Sequence, residues 1–253
     1  MVEAPFSWPE GRSVALSLSF DDARPSQVDV AFPVLESYGV KATFYANPAN
    51  VERRLDAWRA VAAAGHELGN HTVRHPCSIN FAFSRGNPLE SYSLRRMEEE
   101  LLECNRQLQA LCGVRPQTFA YPCGQTFIGR GTSTQSYVPL IARHFLAGRG
   151  FPSEHHNMPL LCDLAQINGC PFDRLPFAVV HEWIEAARAE GAWLVLAGHD
   201  TGDEDRHQMV RSDTLCALCE YAQDPANSVW LDTVAEVARH VKEQQTREKG
   251  SGG

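Results

Sequence analysis

Short apolar runs alternate with longer amphipathic runs along most of the chain. Ser13 to Phe20 alternates apolar and polar residues, which predicts a strand, and Val40 to Tyr45 predicts a second one. Residues 27–38 and 52–64 carry apolar side chains at helical spacing, and each run stops just before a glycine. Trp193 to Ala197 is continuously apolar, as in a buried parallel strand. Strands and helices in alternation predict a parallel α/β sheet, either doubly wound or closed into a barrel.

The rest of the pattern extends this order towards the C-terminus. It predicts two short strands, at 66–70 and 118–121, and five more helices, at 93–111, 138–144, 181–190, 212–221 and 231–244. The irregular stretches near 76–92, 122–137 and 150–176 are expected to be functional loops. We expect one catalytic domain over residues 1–245. Residues 246–253 end in Gly250, Ser251, Gly252 and Gly253, which indicates a flexible tail typical of an expression remnant.

Composition narrows the class of partner. The net charge of −8 and the pI near 5.7 argue against a nucleic-acid or anionic membrane surface, since either would repel the protein. No stretch approaches the roughly 20 apolar residues that span a bilayer. Residues 1–13 lack the basic and apolar regions of a secretory signal, which predicts a cytoplasmic protein, or a periplasmic or secreted one if a leader has been removed. Nothing in the sequence sets an oligomeric state.

The chain has eight cysteines, and a domain of this size does not need disulfide bonds. Cys216 and Cys219 form a CxxC pair, a spacing that zinc and redox sites use. No second pair or nearby histidine completes such a site, and the surrounding leucines indicate a helix. We therefore expect these two residues to be thiols of the core, and all eight cysteines to be reduced and mostly buried.

Two acidic residues, Asp21 and Asp22, directly follow the first predicted strand. Adjacent carboxylates repel one another and need compensation when buried. They could cap the following helix and interact with its dipole, or they could bind a cation together with other ligands. His71 and His75 are candidates for those ligands, because imidazoles four residues apart on one helical turn point the same way. One carboxylate with two imidazoles leaves open positions, the pattern of a catalytic metal.

Two further strand ends carry chemically useful groups. His199 follows the apolar strand at 193–197, and the turn from Tyr121 to Gly124 follows another apolar run and exposes backbone N–H groups. The carboxyl ends of parallel strands lie at one edge of the sheet, where α/β proteins bind ligands. Four such strand ends in one chain predict an active site.

These segments resemble the motifs of the polysaccharide deacetylases of the NodB-homology type, carbohydrate esterase family 4. Residues 19–22 (SFDD) are similar to the first motif and residues 71–75 (HTVRH) to the second. Residues 119–124 (FAYPCG) are similar to the tyrosine-proline variant of the third motif, and residues 197–199 (AGH) to the last motif. The stretch 65–70 (GHELGN) is also typical of the family. The matches follow the family order from about residue 13 to residue 200.

The resemblance implies a NodB-like distorted (β/α) barrel with fewer than eight parallel strands and one divalent metal. Asp22, His71 and His75 would be the ligands, Asp21 the general base, and His199 the general acid. A backbone N–H of the turn at Tyr121 and Cys123 would help the metal to stabilise the oxyanion. Two imidazoles and one carboxylate suit Zn best, although Co, Ni, Mn or Fe also fit.

The sequence departs from the family at three positions. Ala120 occupies the place of an arginine that orients the catalytic base, and Arg149, at a later strand end, is a candidate to supply that guanidinium. The family's fourth motif, which orients the catalytic histidine, is absent as such, and Asp163 is a candidate replacement. Ala197 stands where a leucine usually packs on the acetyl methyl group, which suggests a larger acyl pocket.

The sequence therefore predicts a metal-dependent hydrolase that removes acetyl groups from a carbohydrate. An N-acetyl amide and an O-acetyl ester share the same tetrahedral chemistry, so both remain open as substrates. One alternative is hydrolysis of a small non-sugar amide, which some members with the tyrosine-proline motif perform. Another is a non-catalytic carbohydrate-binding barrel, although a pure binder has no use for a base, a metal site and an acid together.

Overall fold

The structure, a computed structural model, describes residues 6–151 and 156–251. Its strands are β1 (Val14–Asp21), β2 (Thr43–Ala46), β3 (Glu67–Asn70), β4 (Thr118–Ala120), β5 (Phe127–Ile128), β6 (Gln135–Ser136), β7 (Ala147–Arg149), β8 (His156–Asn157), β9 (Cys170–Pro171), β10 (Trp193–Gly198), β11 (Asp200–Gly202), β12 (Met209–Arg211) and β13 (Val229–Leu231). Its α-helices are α1 (Phe32–Ser37), α2 (Pro48–Arg53), α3 (Leu55–Ala63), α4 (Leu94–Cys112), α5 (Val138–His144), α6 (Phe177–Ala189), α7 (Ser212–Gln223) and α8 (Val234–Ser251). A π-helical turn (Gln27–Ala31) leads into α1, and single 3₁₀ turns occur at Pro9–Gly11, Ala82–Ser84, Leu89–Ser91, Pro122–Gly124, Gly131–Ser133, Leu164–Gln166 and Pro225–Asn227.

The main sheet is a continuous run of parallel strands in the order β7, β4, β3, β2, β1, β10. Two short parallel strands extend it, β13 beside β1 and β9 beside β10, whereas β8 pairs antiparallel with β10. The sheet curls into a half-barrel with helices packed on its outside. The predicted distorted (β/α) barrel is therefore confirmed.

The two faces of β1 differ, as its alternation predicts. Leu16, Leu18 and Phe20 are fully buried in the main hydrophobic cluster, which the surrounding helices complete. Ser17 and Ser19 are also buried, but they point to the inner face, where Ser17 accepts a hydrogen bond from the indole of Trp193 (3.1 Å). The inner face of the half-barrel is thus narrow and partly polar, so that charged groups at its rim can find partners.

Glu67 closes the bottom of the half-barrel. Its carboxylate accepts hydrogen bonds from the hydroxyls of Thr43 (2.8 Å) and Thr118 (2.6 Å) on neighbouring strands. It also accepts one from the backbone N–H of Ala235 (2.9 Å) in the first turn of α8. Because a carboxylate is favourable at a helix N-terminus, this contact fixes the last helix under the sheet.

Several element predictions need correction at their ends. The predicted helix at 52–64 is two helices, α2 and α3, which are separated at Arg54. Leu231, predicted to begin the last helix, is the final residue of β13, because its register with Leu16 continues the parallel sheet. Helix α8 continues to Ser251, so residues 246–251 are helical where a flexible tail was expected. Residues 252–253 lie outside the described part of the chain.

Two predictions about individual features agree with the structure. Helix α4 begins after Ser93, whose hydroxyl accepts a hydrogen bond from Arg96 N, and ends at Gly113 with a φ of 74°. Cys216 and Cys219 lie on α7 as free thiols, and Cys219 is buried in the main cluster as expected, whereas Cys216 is only half-buried. Within the described ranges, no helix combines the length and the apolar composition that crossing a bilayer requires.

Candidate active site

The polar residues that follow the parallel strands meet at one edge of the half-barrel. Because β1, β3, β4, β7 and β10 run in the same direction, Asp21, His71, Arg149 and His199 are all delivered to the edge where these strands end. A pocket of about 680 Å³ opens there. It is lined by Asp21, Asp22, Arg24, His71, His75, Phe81, Phe83, Cys123, Phe151, His199, His207 and Gln208.

Asp22, His71 and His75 bring three ligand atoms together in this pocket. Asp22 Oδ1 lies 3.5 Å from His71 Nε2 and 3.6 Å from His75 Nε2, and all three atoms are within 4.8 Å of one another. His71 Nδ1 lies 2.9 Å from the carbonyl of Ala120, which fixes the tautomer and turns Nε2 towards the pocket. One carboxylate and two imidazoles form a donor set that suits Zn²⁺ and related ions, so these residues fit a divalent metal.

The segment that carries the two histidines is a loop and not the helical turn that was expected. Thr72 and His75 have φ angles of 62° and 48°, which an α-helix excludes. Side chains hold the loop instead: Asn70 Oδ1 accepts from Thr72 N (2.8 Å), and Thr72 Oγ1 accepts from His75 N (2.9 Å). Between these two bonds, the buried carboxylate of Glu100 accepts hydrogen bonds from the backbone N–H groups of Val73 (3.2 Å) and Arg74 (3.3 Å).

Arg149 contacts the carboxylate of Asp21, as the sequence predicts for an arginine at a later strand end. Arg149 Nη2 donates a hydrogen bond to Asp21 Oδ1, and both side chains are almost fully buried. The guanidinium also lies over the ring of Tyr45, 5.0 Å from its centroid. The guanidinium that the third motif lacks at Ala120 therefore reaches Asp21 from β7.

His199 is paired with Asp173 and not with Asp163. His199 Nδ1 lies 2.7 Å from Asp173 Oδ2, and the backbone N–H of His199 donates to Asp173 Oδ1 (3.0 Å). Asp173 follows β9, the short strand beside β10, and this pairing brings it to His199. Asp163 is exposed and caps the 3₁₀ turn at 164–166, where it accepts from Ala165 N (2.9 Å). The prediction for Asp163 is therefore wrong.

The charges in the pocket set one another's protonation. Burial by itself would raise the pKa of Asp21, but Arg149, His71 and His199 outweigh it and hold that pKa below its ordinary value. Burial and the neighbouring His71 lower the pKa of His75 to about 4, so this imidazole is neutral at pH 7. Burial also opposes a charge on His71, but the carboxylates of Asp21 and Asp22 prevail and raise its pKa.

Of the two residues predicted in the third-motif turn, Cys123 lines the pocket and Tyr121 does not. The ring of Tyr121 belongs to a separate hydrophobic cluster, and its hydroxyl donates to the carbonyl of Ala165 (2.7 Å). Its backbone N–H donates to the carbonyl of Arg149 (2.9 Å), within the pairing of β4 with β7. Cys123 has a φ of 53°, and Gly124 follows with a φ of 67° against the carbonyl of Phe151, where a Cβ has no room.

Cys123 forms a disulfide bond with Cys77, which corrects the prediction that all cysteines are reduced. The two residues are 46 positions apart, so no local spacing indicated the pair. They meet because β3 and β4 are neighbours and each residue lies in the loop that follows its strand. The bond joins the histidine loop to the turn of the third motif. His75 Nδ1 lies 3.6 Å from Cys77 Sγ, but a disulfide sulfur is not a thiolate ligand.

Besides Phe151 and His207 of the pocket lining, four residues with hydrogen bonds to the site were not predicted from the sequence: Arg24, Gln27, Asp173 and Gln208. Arg24 donates to Asp22 Oδ2, and a cation two residues after an acidic pair was a signal for it. The buried amide of Gln27 donates to the carbonyls of both Asp21 (2.6 Å) and His199 (2.9 Å). Gln208 lies in an irregular loop, and no local pattern distinguished it. Asp173 follows a strand of only two residues, which is too short to be detected from sequence.

The aromatic residues of the loop at 76–92 divide between two roles. Phe81 and Phe83 are exposed on the pocket rim with their ring centroids 5.5 Å apart, whereas Tyr92 is buried in the core.

Ala197, expected to enlarge an acyl pocket, is fully buried in β10 and is not among the described residues that line the cavity.

We expect the Cys77–Cys123 bond to stabilise the chain by constraining its unfolded state. For a loop of this length, chain entropy gives about 4 kcal/mol. Denaturant unfolding of the Cys77→Ala/Cys123→Ala variant should show a decrease of a few kcal/mol in unfolding free energy. The matched control is a thiol reductant, which should destabilise the unmodified protein and leave the double variant unchanged. Equal stability of the two proteins without reductant would contradict this expectation.

Comparison with known proteins agrees with the motifs. Residues 9–134, about half of the chain, match the family model described as polysaccharide deacetylase. A chitooligosaccharide deacetylase of Sinorhizobium fredii is 32% identical over 96 residues, which are 38% of this chain and 40% of that protein. The chain spans less than half the length of the curated relatives that it matches.

Solved structures with the same fold cover nearly the whole chain. A protein of Mycobacterium smegmatis assigned to the polysaccharide deacetylases superposes with a TM-score of 0.65 and 18% identity, covering 96% of this chain and 95% of the other. Puue allantoinase superposes with a TM-score of 0.61 and 15% identity, covering 92% and 91%. The family match and the order of the motifs lead to one conclusion: the chain belongs to the polysaccharide deacetylase family of the NodB-homology type, carbohydrate esterase family 4.

Proposed function

We propose that the protein is a metal-dependent hydrolase that removes N- or O-linked acetyl groups from a carbohydrate. One observation carries this proposal. A three-ligand cluster, a buried carboxylate with its own arginine, and a histidine with its own aspartate all border one pocket. These are the parts that hydrolysis of an acyl bond needs, and membership of a deacetylase family supports their use in acetyl removal.

Asp22, His71 and His75 would hold one divalent ion, with Zn as the first candidate and Co, Ni, Mn or Fe as alternatives. Such an ion would polarise the acetyl carbonyl and make a bound water molecule more acidic. His75 is neutral at pH 7 and can bind an ion directly. The carbonyl of Ala120 accepts from His71 Nδ1, so Nε2 is the atom with which His71 would bind the ion once its proton has left.

Asp21 would act as the general base. Its lowered pKa keeps the carboxylate ionised at neutral pH, so it can accept a proton from the attacking water. Arg149 holds one oxygen of this carboxylate, which leaves the other for the water. Arg149 is thus a positioning residue, in the place of the arginine that Ala120 replaces.

His199 would act as the general acid. Asp173 accepts from Nδ1 and fixes the orientation of the ring, and Nε2 is then the atom that returns a proton to the leaving amine or alkoxide. Gln27 binds the carbonyls of Asp21 and His199 with one amide group. The base and the acid therefore keep a fixed separation across the pocket.

The backbone N–H of Cys123 is the candidate donor for the oxyanion. Tyr121 N–H is already bonded within the sheet and Pro122 has no N–H, so Cys123 is the first residue of the turn with a donor to offer. Its left-handed conformation places this donor in the turn that borders the pocket. Phe81 and Phe83 on the rim offer apolar faces against which a sugar ring can stack.

Hydrolysis of a small non-sugar amide is the second candidate. Besides the rim pair, Phe151 also lines the pocket, which suits a compact apolar substrate as well as a sugar. Puue allantoinase has a similar fold, and the same set of base, metal and acid would serve an amide of any origin.

Acetate release from a panel of substrates tests the proposed activity. The panel contains chitooligosaccharides, acetylated peptidoglycan fragments, acetylxylan, peracetylated monosaccharides and small non-sugar amides, cyclic and acyclic, whose hydrolysis is followed by the carboxylate that it forms. We expect release from at least one carbohydrate, abolished by chelation and restored by Zn²⁺ or Co²⁺. Asp21→Asn should lower kcat/KM by about 10²–10⁴-fold, because it removes the proton acceptor.

The other outcomes each name a different function. Turnover of the small non-sugar amides alone would move the assignment to a small-amide hydrolase. Carbohydrate binding without release, unchanged in Asp21→Asn and with metal bound, would support the non-catalytic barrel. Release that survives chelation and metal removal would contradict metal dependence.

At a pH below the raised pKa of His71, metal binding should release a proton. A metal must displace that proton from Nε2, so Zn²⁺ affinity should increase as the pH rises, by up to about tenfold per unit while His71 is still protonated. Titration calorimetry in two buffers of different ionisation enthalpy counts the protons released. Identical heats in both buffers would show that no proton leaves.

Asp173 and Asp163 provide a matched pair of variants. Asp173→Asn should lower kcat by about 10²–10⁴-fold, because the ring of His199 loses the carboxylate that fixes its tautomer. Asp163→Asn should change kcat less than twofold, because asparagine also caps a helical turn. Equal losses in the two variants would count against the assigned partner of His199.

A further inference from the structure

The two carboxylate oxygens of Asp22 have different partners. Oδ1 faces the imidazoles of His71 and His75, whereas Oδ2 accepts two hydrogen bonds from Arg24, from Nη2 (2.8 Å) and Nε (3.1 Å). Both hydrogen bonds end on the same oxygen, so they hold Oδ2 on the arginine side of the carboxylate, and Oδ1 is then turned towards the imidazoles. Only Oδ1 is left facing the other two ligand atoms.

Arg24 is itself held on two further sides. Its Nη1 donates to Asp200 Oδ2 (2.9 Å), and its Nη2 also donates to Gln208 Oε1 (2.8 Å). Asp200 is fixed in turn by the hydroxyl of Ser26, which donates to Oδ1 (2.6 Å). The arginine is therefore part of a bonded group and not a solvated cation above the pocket.

The orientation of the Gln208 amide follows from these contacts. Arginine has donors only, so the oxygen of Gln208 must face Arg24 and its NH₂ group must face His199. Gln208 Nε2 lies 3.2 Å from His199 Nε2, the ring nitrogen that Asp173 does not hold. An N–H of Gln208 thus donates to the lone pair of His199 Nε2. As the proposed general acid, His199 must carry its proton on this same nitrogen.

We propose that Arg24 and Gln208 form a bridge between the metal cluster and the acid: Arg24 limits Asp22 to one ligating oxygen, and Gln208 caps His199 Nε2 until substrate displaces it. This inference rests on the proposed function of the site. Gln208 acts at the position that the leaving group must reach, so it influences which substrates gain access to the acid. Rotation of the side chain alone removes the cap, because the backbone of Gln208 stays bonded to Asp200 N (3.0 Å).

The first part of the test measures the metal and needs no substrate. Arg24→Ala, Gln208→Ala and the control Arg206→Ala are titrated with Zn²⁺ against a chromophoric chelator. Arg206 is exposed in the same loop as Gln208, and its guanidinium pairs with Glu204. We expect Arg24→Ala to weaken Zn²⁺ binding about 10–100-fold and the other two variants to remain within about threefold of wild type.

The Co²⁺ absorption spectrum reports the coordination itself. When Arg24 is removed, Asp22 can bind through both oxygens, and the visible bands of Co²⁺ should weaken as the coordination number rises. Arg24→Lys keeps the charge without the planar fork and should give an intermediate spectrum, which also serves if Arg24→Ala does not fold. Affinity and spectrum equal to those of Arg206→Ala would overturn the role of Arg24.

The second part of the test concerns His199. In ¹⁵N-labelled protein, the Nε2 resonance of His199 should shift in Gln208→Ala and stay unchanged in Arg206→Ala. With an active substrate, Gln208→Ala should lower KM about fivefold, the value of one hydrogen bond that substrate no longer breaks, with kcat within about twofold. An unmoved resonance, or a KM that rises, would overturn the cap. Absence of any turnover in wild type would refute the proposed activity, while the metal and resonance measurements would still decide the bridge.

Discussion

Asp21 and Arg149 are buried together inside the curled sheet, and the rest of the site depends on this pair. A carboxylate and a guanidinium can leave water only if each compensates the other, and removing one partner leaves a costly unpaired charge. The two residues end β1 and β7, which are four pairings apart in the sheet. The ion pair therefore ties the centre of the sheet to its edge across the inner face, and it sets the curvature within which the other strand ends converge.

Four of the titratable side chains at the pocket each have a partner of their own. Asp21 has Arg149, Asp22 has Arg24, and His199 has Asp173, while the carbonyl of Ala120 fixes His71. Because each partner comes from a different element, the groups are positioned before any ligand arrives. Preorganisation of this kind is what a low-dielectric site needs if charge is to be stabilised without rearrangement at the moment of reaction.

The elements predicted from the sequence are those whose hydrophobic pattern continues over several residues. The alternation in β1 and the apolar run of β10 placed Asp21, Asp22 and His199 at strand ends, and parallel pairing then brought them together. The loop of His71 and His75 was misjudged because i, i+4 spacing favours a helix only when the backbone N–H groups bond along the chain. Here they bond to side chains instead, to the neighbouring Asn70 and Thr72 and to Glu100, which lies far away in sequence.

The errors at Asp163 and at the disulfide have a common cause. Asp173 is brought to His199 by a strand of only two residues, and Cys77 is brought to Cys123 by the loops of two neighbouring strands. Both contacts join residues that are far apart in sequence, and no local pattern indicates either of them. Asp163 has the same chemistry as Asp173 and lies at a plausible distance along the chain. What distinguishes the two is that Asp173 follows β9, which pairs with β10. β9 has only two residues, so its apolar run is too short to be detected from the sequence.

The disulfide bond also compensates for a weakness in the sheet. β3 and β4 share a single register pair, Asn70 with Phe119, before the loop of His71 and His75 and the turn at 121–124 leave the sheet. Backbone pairing alone fixes the relative position of these two segments poorly, yet the proposed chemistry needs a ligand from one and an N–H donor from the other. A covalent bond between Cys77 and Cys123 supplies that constraint at the point where hydrogen bonding along the strands ends. Precision at the pocket therefore comes from side-chain and covalent links added at the strand ends, and the sheet supplies the direction in which those ends point.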